Sequence, residues 1–117
     1  MQYMLLIYDA EKSFAALSPA EMSALCKEYG TFGESLARSG NFKVGEELKP
    51  TSTATTVRVR NGRVQTTDGP FAETHEQLRG FYLIEARDLD EAIAIAARVP
   101  SARFGSIEVR PINPERP

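Results

Sequence analysis

The residues Thr67-Asp68-Gly69-Pro70-Phe71-Ala72-Glu73-Thr74-His75-Glu76 gather three carboxylates and the only histidine of the chain around a Gly-Pro break. Proline locks φ and gives up its N–H, and glycine takes backbone angles that other residues avoid, so this stretch is neither helix nor strand. Histidine exchanges protons near neutral pH, and a carboxylate beside it can act as general acid or base. Asp68 is therefore the candidate proton-transfer group and His75 the residue that stabilises or relays charge. Tyr29, on a helix stripe, is the candidate donor to a developing oxyanion. Glu73, Phe71 and Tyr82 are the candidate ligand-binding residues. Each has a plainer reading. Asp68 could cap the N–H groups of its own turn, His75 and Glu73 could be solvated loop residues, and the aromatic residues could be core. Asp68, Glu73 and His75 are also of the type that holds a divalent metal. With no second histidine and no cysteine nearby, the expectation is no metal. No nucleotide fingerprint is present among Gly62, Gly69 and Gly80, and no cofactor is expected.

The flanking sequence supplies the elements that would position this turn. Tyr3-Met4-Leu5-Leu6-Ile7-Tyr8 predicts a strand buried on both faces, and residues 9–17 a loop. Ser18-Pro19-Ala20-Glu21 sets a serine cap, a proline at the first helical position and a glutamate three residues after the cap. The helix it starts carries Met22, Leu25, Cys26, Tyr29, Phe32, Gly33 and Leu36 as one apolar stripe and closes at Gly40. A second strand follows over Phe42 to Leu48. Residues Thr55–Arg60 and Arg63–Thr67, joined by Asn61-Gly62, read as a two-residue-turn hairpin. Gly80–Ala86 is another strand with apolar residues on both faces. Asp88 caps a second helix, with Glu91 in the capping-box position and Leu89, Ala92, Ile93, Ala96 and Val99 toward the core; Pro100 ends it. Ile107–Ile112 is the last strand, and residues 113–117 are a polar tail.

This order predicts an α+β fold: a ferredoxin-like βαββαβ sandwich with an inserted β-hairpin, in one domain over residues 1–112. Two helices can cover only one face of its sheet. The apolar residues on the other face of the first strand and of Phe81–Ile84 would then be wet, which soluble monomers rarely tolerate. The expected remedy is a homodimer with the two sheets packed face to face.

Composition narrows the partners. The net charge of −2 gives no field that would draw nucleic acid or an anionic membrane, and Arg58, Arg60 and Arg63 are expected to be a solvated hairpin face. One cysteine, Cys26, allows no intrachain disulfide and suits a reducing compartment; it is expected to be a small buried hydrophobe. The run Met4–Tyr8 falls far short of the roughly 20 apolar residues that span a bilayer. With no basic-then-apolar leader at the start, the expected location is the cytoplasm.

Taken together, Tyr3–Tyr8, Thr53–Arg60, the Thr67–Thr74 motif, Gly80–Ile84 and Gly105–Pro111 resemble the YCII-related family, in the branch named for its Asp-Gly-Pro-Phe motif. The resemblance spans nearly the whole chain. It implies a dimeric α+β barrel of ferredoxin-like subunits, and no established activity. Shorter members of the wider family pair a histidine on the first helix with an aspartate after the second. Tyr29 stands at the first position here, and Arg98-Val99-Pro100-Ser101 offers no acid at the second, so that pair does not carry over. His75 stands where the branch commonly has lysine. Two functions follow as expectations. One is a cofactor-free enzyme doing acid–base chemistry on a small polar metabolite. The other is a non-catalytic dimeric module, binding a ligand or a protein, in which the motif is a structural turn.

Overall fold

The burial of the first strand fixes how the molecule is layered. In a computed structural model, which describes residues 1–114, β1 (Gln2–Asp9) alternates: Tyr3, Leu5, Ile7 and Asp9 are buried, while Met4, Leu6 and Tyr8 are half-exposed. A short helix α1 (Glu11–Ala15) precedes α2 (Pro19–Ser39), β2 (Phe42–Glu47), β3 (Thr55–Arg60), β4 (Arg63–Asp68), β5 (Gln77–Glu85), α3 (Leu89–Ala97) and β6 (Ser106–Pro111). The main sheet runs β2-β5-β1-β6 with every neighbour antiparallel. Both long helices contribute to one core, Phe32 and Leu36 from α2 meeting Ala92, Ile95 and Ala96 from α3 over Tyr3, Leu5 and Ile84. That is the ferredoxin-like α+β sandwich, with β3 and β4 inserted as a separate two-stranded sheet. No helix among the described residues is long and apolar enough to cross a membrane.

Local chemistry explains the element ends. Ser18 Oγ accepts from the Glu21 N–H and the Glu21 carboxylate accepts from the Ser18 N–H, so α2 begins in a complete capping box. It ends at Gly40, whose φ of 82° is the left-handed conformation glycine tolerates best. Asp88 accepts from the Glu91 N–H, but the Glu91 carboxylate reaches the Arg87 N–H rather than closing the box on Asp88. The hairpin turn puts both Asn61 (φ 52°) and Gly62 (φ 73°) at positive φ, as its Asn-Gly dipeptide demands.

Several expectations are corrected. Residues 9–17 are not all loop: Glu11–Ala15 is helical. β5 starts at Gln77, three residues before Gly80. On α3, Leu89 and Ile93 are exposed at 49% and 50%, and Ile95 takes the core position instead, because the helix presents Ala92, Ile95, Ala96 and then Val99 to the sheet. Cys26 is exposed rather than buried, since only Leu25, Phe32 and Leu36 of the α2 stripe reach the core. Of the tail expected over 113–117, residues 115–117 lie outside the described residues.

Candidate functional site

Much of the α2 stripe opens onto a cavity beside the core. Met22, Leu25, Cys26, Tyr29 and Gly33 face Phe42, Gly45, Glu46 and Glu47 of β2 and Arg79–Tyr82 of β5 across a space of about 470 Å³, with Ile7 and Phe14 at its border. Two glycines make the room. A Cβ on Gly33 would meet nothing within 4 Å, and one on Gly45 would lie 2.6 Å from the Tyr82 ring. Tyr82 is further held edge-on by Phe32 at 5.3 Å and Phe42 at 6.3 Å between ring centroids. Burial pushes the Tyr82 hydroxyl up to about 12, so it stays protonated.

Polar groups enter this mostly apolar wall in two couples. The Tyr29 hydroxyl and Ser101 Oγ lie 2.5 Å apart, and Ser101 is fully buried. Burial raises the Tyr29 pKa above its ordinary 10, against the opposing pull of the Ser101 hydrogen bond, so this hydroxyl too is a donor at neutral pH. The second couple is Arg79 and Asp9. The Arg79 Nε lies 3.3 Å from Asp9 Oδ2, its Nη2 lies 3.4 Å from Glu47 Oε1, and its guanidinium sits 3.5 Å above the Phe14 ring centroid. Asp9 is 2% exposed, and neither of its carboxylate oxygens has a partner in hydrogen-bond geometry. Burial raises its pKa above the ordinary 3.8; Arg79 opposes the rise, and Glu76, Glu11 and Glu47 add to it.

A β-bulge brings Arg79 into this place. β1 and β5 are in register up to Ile7 opposite Gly80, and the pairing then resumes with Tyr8 opposite Leu78, leaving Arg79 as the extra residue. Bulges re-aim side chains. Here the inward phase set by Ile84, Tyr82 and Gly80 is extended to Arg79, whose side chain is only 14% exposed. Helix α1 supplies the floor through Phe14 and fixes the neighbouring loop: Glu11 accepts from the Thr51 N–H at 2.8 Å and the Thr51 hydroxyl at 2.6 Å.

The structure divides the residues singled out from the sequence. Tyr29 and Tyr82 line the cavity. Asp68, Phe71, Glu73 and His75 are all exposed on the turn between β4 and β5, and none of them lines it. Among the described residues the Asp68 side chain caps no N–H group: the turn closes instead through the Gly69 N–H to Ala54 O and Thr56 Oγ1 to Gly69 O, with Gly69 at φ 98°. Among the described residues no three His, Cys, Asp or Glu side chains group as metal ligands. Asp9, Phe14, Arg79 and Ser101 went unrecognised in the sequence. Asp9 carried a signal: it continues the two-residue phase of Tyr3, Leu5 and Ile7, an acid at an inward position.

The family model of the YCII-related domain matches residues 1–116. The uncharacterised protein R00369 of Rhizobium meliloti (strain 1021) is 37% identical over 119 residues, covering 100% of this chain and 96% of its own. Among solved structures, the 5-chloro-2-hydroxyhydroquinone dehydrochlorinase TftG of Burkholderia phenoliruptrix AC1100, in complex with 2,5-dihydroxybenzoquinone, aligns over 97% of this chain and 94% of its own. Its TM-score is 0.49 and its identity 14%, a likeness too distant to bear on chemistry here.

Proposed function

We propose that this chain, which belongs to the YCII-related family, is a cofactor-free enzyme that performs acid–base chemistry on a small polar metabolite bound between α2 and the sheet. One observation carries the reading. Among the described residues only two polar side chains are buried, Asp9 and Ser101, and each backs one polar wall of the cavity, Arg79 and Tyr29 respectively. Burying polar groups is costly, and placing both behind one cavity is what a binding site needs and a plain core does not. In this reading Tyr29 donates to oxygen on the substrate, and its protonated state suits that role.

A homodimer belongs to the same proposal. The hairpin presents Val57, Val59 and Val64 on one face at 60%, 58% and 70% exposure, and Met4, Leu6, Phe81 and Leu83 lie on the sheet face away from the helices. A two-stranded hairpin gains little stability alone, and a second copy would cover both surfaces. The lone exposed thiol of Cys26 suits the cytoplasm, where it stays reduced.

A second reading, the non-catalytic module, is favoured by the exposure of Asp68, Phe71, Glu73 and His75, all clear of the cavity. The deciding experiment is a metabolite thermal-shift screen on the native protein and on Gly33→Leu. The variant should fill the cavity while gaining about 1 kcal/mol of helix propensity. Ligands that raise the melting point of the native protein alone identify the cavity, and product formation on incubation separates enzyme from module. Ligands that stabilise both proteins equally would refute the cavity as the site.

A further inference from the structure

A second flank of α2, which shares no residue with the cavity, meets the end of α3 across a groove of about 660 Å³. The groove floor is apolar and buried, made by Phe32, Val99 and Pro100. Three cations, Lys27, Arg98 and Arg103, line it against one acid, Glu28, in a chain whose net charge is −2. Two of the three are held in place. Arg98 donates through Nη2 to Ser35 Oγ at 2.5 Å, and its guanidinium lies 5.6 Å from the Phe32 ring centroid. Arg103 Nη2 is 2.7 Å from Glu28 Oε2, so this pair is neutral as a unit. Lys27 and Arg98 have no carboxylate partner among the described residues.

We infer that this groove binds a phosphate monoester with an apolar body, its head between Lys27 and Arg98 and its body on the Phe32, Val99 and Pro100 floor. The groove is a second site, independent of the cavity between α2 and the sheet. Two cations without acids match the nearly two negative charges of such a head at neutral pH, whereas a carboxylate would answer only one of them. With one N–H given to Ser35, the Arg98 fork still has others to donate, and its orientation is already set. The Thr31 hydroxyl, without a side-chain partner among the described residues, adds a donor on the same wall. A concave apolar floor with a few polar groups is the ordinary form of a small-molecule site. The hairpin offers the contrast: Arg58, Arg60 and Arg63 are as many cations, but they stand exposed on a two-stranded sheet that has no buried residue.

Phenyl phosphate, benzoate and inorganic phosphate separate the head from the body, and backbone amide shifts on titration into the native protein report where each one binds. Phenyl phosphate should move the Thr31, Phe32 and Arg98 amides saturably. It should bind about tenfold tighter than inorganic phosphate, the worth of roughly 60 Å² of ring buried on the floor. It should bind about threefold tighter than benzoate, the worth of a second exposed charge pair. Lys27→Gln with Arg98→Gln should weaken phenyl phosphate about tenfold, whereas Arg58→Gln with Arg60→Gln, which removes the same charge from the hairpin, should leave it unchanged. The inference is overturned by shifts as large at Arg58, Arg60 and Arg63 as in the groove, by either other probe binding as tightly as phenyl phosphate, or by no saturable shift in the groove. Shifts confined to Gly45 and Tyr82 would put the ligand in the cavity and overturn it too. Should the Arg98 variant fail to fold, the shift map and the order of the three probes on the native protein still decide.

Discussion

The Tyr29–Ser101 contact makes a prediction in which two mutations together cost less than the sum of their separate costs. Ser101 Oγ is fully buried and Tyr29 is its side-chain partner. Tyr29→Phe strands that hydroxyl away from water, and an unsatisfied buried polar group costs about 2 kcal/mol. Ser101→Ala removes the other side of the bond, but the Tyr29 hydroxyl lines an open cavity that water can enter, so the loss is the net worth of a hydrogen bond, about 1 kcal/mol. The double variant strands nothing and should also lose about 1 kcal/mol, some 2 kcal/mol better than additivity. Urea unfolding at one fixed protein concentration, with equal slopes for all four proteins, measures the cycle. In melting temperature the Tyr29→Phe loss is about 8 °C, and the other two variants lose about 4 °C each. Additive losses within about 0.5 kcal/mol would refute the argument, because they would mean that Ser101 is satisfied without Tyr29.

Four further outcomes are expected. Folding favours protonated Asp9, whose pKa is raised by burial above 3.8, so its contribution is fully present below that value and is lost as pH rises through the raised one; Asp9→Asn should gain on the native protein as pH rises above 3.8 in a pH series of urea midpoints. Glu21, held below 4.5 by its hydrogen bonds to Ser18, acts with the opposite sign: its stabilisation is present above 4.5 and fades as pH falls through its depressed value, so Glu21→Gln should flatten the acid limb. Gly45→Val must displace the Tyr82 ring, which a Cβ would approach to 2.6 Å, and overpacking of this kind costs about 1–3 kcal/mol; chemical unfolding gives the loss, and Tyr82 ring resonances should shift with it. If the proposed homodimer packs on the hairpin, Val59→Lys with Val64→Lys, facing each other across it, should halve the sedimenting mass while leaving far-UV circular dichroism unchanged, and an unaltered mass would remove the hairpin from the proposed seam.

Elements were legible wherever a local rule governs them. The capping box at Ser18, the left-handed cap at Gly40 and the Asn61-Gly62 turn depend on a few neighbouring residues, and each stands where its sequence signal puts it. The α3 face was misjudged at Ile93 and Ile95, because on a short helix made mostly of alanine and isoleucine several faces look alike, and only the sheet beneath selects one. Cys26 and Gly33 share the α2 stripe with Leu25 and Leu36. Periodicity assigns all of them to one face, yet it cannot say that half of that face looks into a cavity.

The same distinction explains why the polar couples escaped notice while the motif turn drew it. Asp68, Glu73 and His75 are close in sequence, and proximity along the chain is visible by eye. Asp9 and Arg79 are separated by most of the sequence, and Arg79 turns inward only because one extra residue in β5 breaks strict alternation. In-register pairing would have sent Arg79 to the outer face and left Asp9 buried with no cation at all. That arrangement is far more costly than the one observed, because a buried charge without a partner is among the most destabilising features a fold can hold. The bulge and the buried acid therefore require each other. A chain with an acid at the inward phase of a central strand implies a cation delivered from a neighbouring strand, and the irregular pairing between β1 and β5 is where to seek it.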